Sequence, residues 1–75
     1  MIDEKLIKHL ENGVLVFGSQ TELAKAAKRG KSTVCEWLKG LHKPDVVALM
    51  NLDEAARKRR LPIRFNPREL RPELF

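Results

Sequence analysis

Seventy-five residues, 43% hydrophobic and 33% charged, suffice for one small core and leave little room for a buried catalytic cleft with a fold around it. The net charge of +5, with a pI near 9.8, favours a polyanionic partner. A single cysteine, Cys35, excludes an internal disulfide and a Cys-cluster zinc site.

Residues 3–17 read as a first helix. Ile2, Leu6, Leu10, Val14 and Phe17 recur at near-helical spacing with Ile7 alongside, and Asp3 and Glu4 suit the positive end of the helix dipole. Gly13 is the weak point, costing about 1 kcal/mol inside a helix. The stripe stays in phase to Phe17, so one helix, bent or straight, is expected. Gly18 ends it. The longest apolar run, Val14-Leu-Val-Phe17, is far too short to span a bilayer, and with the lone cysteine it leads to the expectation of a soluble, cytoplasmic protein.

Ser19 with Glu22 forms a capping-box pattern for a second helix carrying Leu23, Ala24 and Ala27. A break follows at Lys28-Arg29-Gly30. Val34, Trp37 and Leu38 then recur at i, i+3 and i+4 before Gly40, a common helix-closing residue. Two short helices with small residues between them and a free face on the second describe a helix-turn-helix.

After Leu41-His-Lys-Pro44, Pro44 and Asp45 favour a fourth helix over about 45–59. Val46, Val47, Leu49, Met50, Leu52, Ala55 and Ala56 are expected to form its apolar face, and Arg57-Lys-Arg-Arg60 either to solvate its end or to touch DNA or a partner's acidic patch. Pro62 forbids continuation. Leu61-Pro-Ile-Arg-Phe65 is expected to be extended, and Asn66-Pro-Arg-Glu69 starts a short last helix before Pro72. The expected fold is therefore all-α: one five-helix domain over residues 1–75, with a short extended segment at 62–65.

Charge is unevenly spread. Residues 1–24 carry two basic and four acidic side chains, residues 25–43 six against one, and residues 44–75 seven against five. The positive charge thus gathers on the helix-turn-helix, which makes DNA the expected partner.

The segments Gly18-Ser-Gln-Thr-Glu-Leu-Ala24 and Ser32-Thr-Val-Cys-Glu-Trp-Leu-Lys-Gly40 resemble the Cro/CI-type (lambda-repressor-like) helix-turn-helix of phage repressors. The ending Arg68-Glu-Leu-Arg-Pro-Glu-Leu-Phe75 is similar to that of short prophage Cro-like regulators, the YdaS group. Together these cover about residues 14–44 and 66–75. The usual Gly-aliphatic-Ser/Thr turn is replaced here by Lys28, Arg29 and Gly30. That leaves Gly30 at special backbone angles, Gly30 as a weak cap, or a later start with Thr33 and Glu36 as the capping box.

The resemblance implies a repressor that reads a palindromic double-stranded DNA operator as a homodimer. Lys31, Ser32, Cys35 and Glu36 are the candidates for base contact: lysine donates to guanine, serine pairs with either partner, and a carboxylate accepts from cytosine. Gln20, Lys28, Arg29, Thr33, Lys39, His42 and Lys43 are the candidates for phosphate contact. Dimer contacts are expected from Ile63, Phe65, Leu70, Leu74 and Phe75, apolar residues that a core this small cannot all bury. His9 and His42 lack metal spacing, and no Ser/His/Asp set or Gly-rich phosphate loop occurs. No enzyme activity, metal, cofactor, small-molecule ligand or membrane partner is expected. The competing reading is a protein-interaction module of a toxin–antitoxin or host-takeover pair on the same fold.

Overall fold

The computed structural model describes residues 3–75 and is helical, with no strand among them. The helices are α1 (Glu4–Phe17), α2 (Gln20–Ala27), α3 (Lys31–Leu38), α4 (Val46–Lys58) and α5 (Pro67–Leu70), followed by a 3₁₀ turn at Pro72–Leu74. No helix is long and apolar enough to cross a membrane.

Helix α1 is capped by Asp3, whose carboxylate accepts the Leu6 amide at 3.1 Å, and such a cap is worth about 1 kcal/mol. It buries Leu6, Leu10, Gly13 and Phe17; Val14 is only half-buried, and Ile2 lies outside the described residues. The helix runs unbroken through Gly13 for a tertiary reason. A Cβ there would lie 2.8 Å from Cζ of Phe65, so the missing side chain makes the space that the ring occupies.

Helix α2 packs against α1, α3 and α4. Its small residues permit this, since Leu23, Ala24, Ala26 and Ala27 are all buried. The Ser19 hydroxyl accepts the Glu22 amide at 3.1 Å. The helix closes with Lys28 in the left-handed region, φ 58°: the Lys28 amide donates to the Lys25 carbonyl and the Arg29 amide to the Ala24 carbonyl. The same pair of bonds closes α3 around Gly40 and α4 around Arg60, φ 54°. Only α3 has the glycine that this closure favours.

Gly30 does not take the left-handed angles at the turn. It is extended, with φ −72° and ψ 155°, and begins α3 without a side-chain cap bond. Of the three readings of the turn, the weak cap is the one formed, and the Thr33–Glu36 capping box is not. Pro44 also differs from expectation. It is fully buried ahead of the cap rather than in the first turn of α4, and the Arg71 guanidinium donates to its carbonyl at 2.8 Å.

Helix α4 buries Ala48, Leu49, Leu52 and Ala56. At about 100° per residue, Val47 and Met50 fall on the opposite side and are 56% and 57% exposed. They are not core residues, contrary to the apolar face read from the sequence. The segment after α4 pairs with nothing as a strand, yet its alternation holds: Ile63 and Phe65 point inward and Arg64 outward. The Asp53 carboxylate accepts the Phe65 amide at 2.9 Å, and His9 Nε2 meets the Arg64 carbonyl at 2.7 Å. The Phe65 ring then stands edge-on to His9, with centroids 5.1 Å apart, and touches Phe17 at 6.2 Å. One aromatic joins α1 to α4.

Candidate nucleic-acid interface

The outward face of α3 is built by what its inward face must do. Val34 and Trp37 are buried against the rest of the fold, at 0% and 3% exposure. With those two fixed, the helical period turns Lys31, Ser32, Cys35, Glu36 and Lys39 to the other side. Lys31, Ser32 and Lys39 are exposed; Cys35 and Glu36 are half-exposed. All four base-contact candidates therefore share one face, and Lys39 joins them there. Trp37 belongs to the core, and Cys35 is a free thiol.

Lys31 and Lys39 have no ion-pair partner among the described residues. Two uncompensated cations on one solvent-facing helix surface make it attractive to a polyanion. Thr33 is half-buried at the edge of this face, and Lys28 is exposed and unpaired at the turn that precedes it. Gln20 is half-exposed at the start of α2, where the first backbone amides have no intrahelical partner.

The remaining phosphate candidates are engaged within the protein. The Arg29 guanidinium binds the Asp45 carboxylate at 2.9 Å and the Lys28 carbonyl at 3.0 Å, tying the α2–α3 turn to the start of α4. Asp45 also accepts the Ala48 amide at 3.2 Å. Partial burial pushes its carboxyl up, and the bonds from Arg29 and Ala48 outweigh that, leaving it below the ordinary value of 3.8. Lys43 lies 3.6 Å from Glu73, and His42 lies 3.5 Å from Glu36. Glu73 also pairs with Arg71. That guanidinium, then the Glu73 backbone amide and last the charge of Lys43 keep its carboxyl below the usual range. Sequence reading treated these cations as free because their partners lie up to 30 positions away.

The run Arg57–Arg60 is largely spent on the fold's own acids. Arg57 pairs with Asp53 at 2.9 Å and Lys58 with Glu54 at 3.0 Å. Arg59 reaches Glu22 at 4.0 Å and lies over the Phe17 ring at 5.3 Å.

The residues expected at a dimer surface divide. Ile63 is 9% exposed and Phe65 is 0% exposed, so both belong to the core of a single chain and cannot meet a partner. The core has room for them because Gly13 gives up its side chain and α4 turns Val47 and Met50 outward. Leu70 is half-buried, and Leu74 and Phe75 remain exposed. Val47 and Met50 were not among the expected surface residues. The available signal was surplus: α4 carries more apolar positions than one buried stripe can hold.

Among the described residues, no group of three or more His, Cys, Asp or Glu side chains could hold a metal ion. Comparison with family profiles, curated proteins and solved structures found no match to this chain.

Proposed function

We propose that this chain is a sequence-specific DNA-binding regulator that works as a Cro-like prophage repressor, with α2 and α3 as its helix-turn-helix. One observation carries the reading. The outward face of α3 combines Lys31, Ser32, Cys35 and Glu36 with an unpaired Lys39, on a helix held from behind by Val34 and Trp37. Helix α3 enters the major groove, where Lys31 donates to guanine and Ser32 and Glu36 read adjacent base edges. Lys28, Lys39 and the amino end of α2 at Gln20 meet phosphates. The protein binds a palindromic operator in the cytoplasm as a homodimer, with half-sites about 34 Å apart, and represses by occluding a promoter. The Cro/CI-type fold, and the likeness to the YdaS group, belong to this proposal. Catalysis, cofactors and small-molecule ligands have no part in it.

Selection of bound DNA from random oligonucleotides tests the reading, and a palindromic consensus is expected. Lys31→Ala and Ser32→Ala should each lose about 1–3 kcal/mol of discrimination among operators. Unchanged specificity and affinity in Lys31→Ala rejects α3 as the reading helix. The competing reading, a protein-interaction module, draws support from Leu15. It is 78% exposed and lines a groove with Lys8 and Leu38. Salt-sensitive DNA binding without operator preference favours that reading, or a nonspecific DNA binder.

A further inference from the structure

The connection from α3 to α4 carries Lys39, His42 and Lys43, and it stays beside the outward face of α3, where His42 lies 3.5 Å from Glu36. The closing segment of the chain is fastened to the same connection. The Arg71 side chain, 16% exposed, donates to the carbonyl of the buried Pro44 at 2.8 Å. Its guanidinium also binds Oε2 of Glu73, and that same oxygen lies 3.6 Å from the Lys43 ammonium.

One carboxylate thus serves two cations, which hold it differently. Arg71 is largely enclosed and anchored on the backbone, so it fixes where Glu73 stands. Lys43 is the looser partner: the two side chains are 39% and 45% exposed, and 3.6 Å is beyond a hydrogen bond. Arg71 above all holds the Glu73 carboxyl below the ordinary 4.5, so Glu73 is ionised at neutral pH.

We propose that Glu73 stands in for a phosphate at Lys43 and so acts as a built-in brake on polyanion binding. The proposal rests on the DNA reading given above and names a residue that limits the strength of that interface.

The contrast with the neighbouring lysines carries it. Lys31 and Lys39 have no ion-pair partner among the described residues, so each can neutralise a phosphate outright. Lys43 must either leave Glu73 or bring an anion towards the phosphates with it. An exposed pair of this kind is weakly held, and a phosphate can take its place. The Arg29–Asp45 pair is not comparable, because it is closer, at 2.9 Å, and Asp45 also accepts the Ala48 amide that caps α4. A contact at Lys43 reads no base, so the cost falls on every sequence alike and discrimination stays with α3.

Anisotropy titrations of a random-sequence DNA duplex over a range of salt concentrations test the brake. Wild type, Glu73→Gln, Lys43→Ala and the double variant are compared. Glutamine keeps an acceptor for Arg71, and far-UV circular dichroism checks that each protein is folded. Glu54→Gln is the control, since it removes the same charge and frees Lys58 instead. Glu73→Gln is expected to bind roughly threefold or more tighter at low salt and to steepen the salt slope by up to about one. Both gains should vanish in the Lys43→Ala background, and Glu54→Gln should gain less. Glu73→Gln binding like the wild type, gaining equally with and without Lys43, or gaining no more than Glu54→Gln overturns the brake. A Lys43-dependent gain in a protein that selects no operator supports the brake and rejects the sequence-specific reading. A palindromic consensus with no such gain does the reverse.

Discussion

The outward faces of α3 and α4 differ in what each is missing. The face on α3 is short of counter-charge: among the described residues Lys31 and Lys39 have no ion-pair partner, and the acid beside them, Glu36, is 3.5 Å from His42. The face on α4 lacks apolar cover: Val47 and Met50 are more than half exposed, while the charges beside them are paired as Asp53–Arg57 and Glu54–Lys58. A missing counter-charge is satisfied by a polyanion, whose released counterions drive binding. Missing apolar cover is satisfied by another protein surface, because removing such area from water is favourable at roughly 25 cal/mol per Å². One small chain thus shows two kinds of incompleteness on adjacent helices.

The largest effect that can break this comparison comes from Phe65. If it is core, as its complete burial requires, Phe65→Ala costs about 3–5 kcal/mol of stability, measured by chemical denaturation. A loss of self-association with little change in unfolding would return Phe65 to a dimer surface. Gly13→Ala comes next. A mid-helix alanine ordinarily gains up to about 1 kcal/mol, but here its Cβ meets the Phe65 ring at 2.8 Å. Overpacking of this kind costs about 1–3 kcal/mol, so a net loss is expected; a more stable variant would show the ring is free to move.

The comparison is sharpened by setting two lysines against each other in salt titrations of DNA binding. Lys39→Ala should weaken all sequences alike and lower the salt slope by roughly one. Lys43→Ala should lower it less, because Glu73 already balances that charge. Equal slopes would mean that the Glu73 contact opens on DNA.

The smallest effect concerns the Arg29–Asp45 link between the two helices. The Asp45 carboxyl lies below 3.8 in the folded chain. Its contribution is therefore fully present above that pH and is lost as the pH falls below it. Both partners are substantially solvated, so about 1 kcal/mol at most is at stake. Asp45→Asn should be less stable than the wild type at neutral pH and approach it under acid, read from urea midpoints.

Much of the architecture was legible because its signals are local. Asp3, Ser19, Asp45 and Asn66 each accept a backbone amide at a helix start, and a cap needs only its own next three residues. The inward positions Val34 and Trp37 follow from period alone, and they determine which residues of α3 face outward. The turn was less legible, because Lys28 adopts angles that usually select glycine. Its neighbours Ala24 and Lys25 supply the carbonyls that hold it there, and no residue-type preference encodes that.

The sequence by itself determined an all-helical chain, the boundaries of its helices to within a residue or so except the start of α3, and a basic, outward-facing α3. Each follows from hydrogen bonds and periodicities that close within a few residues. Only the tertiary structure decided which apolar residues are left over. Ile63 and Phe65 go inside because Gly13 on α1 leaves a space and Asp53 on α4 holds the Phe65 amide. Val47 and Met50 stay outside because Ala48, Leu49, Leu52 and Ala56 already fill the inner side of α4. Burial is a competition for one shared volume, and its outcome depends on residues brought together from across the whole chain.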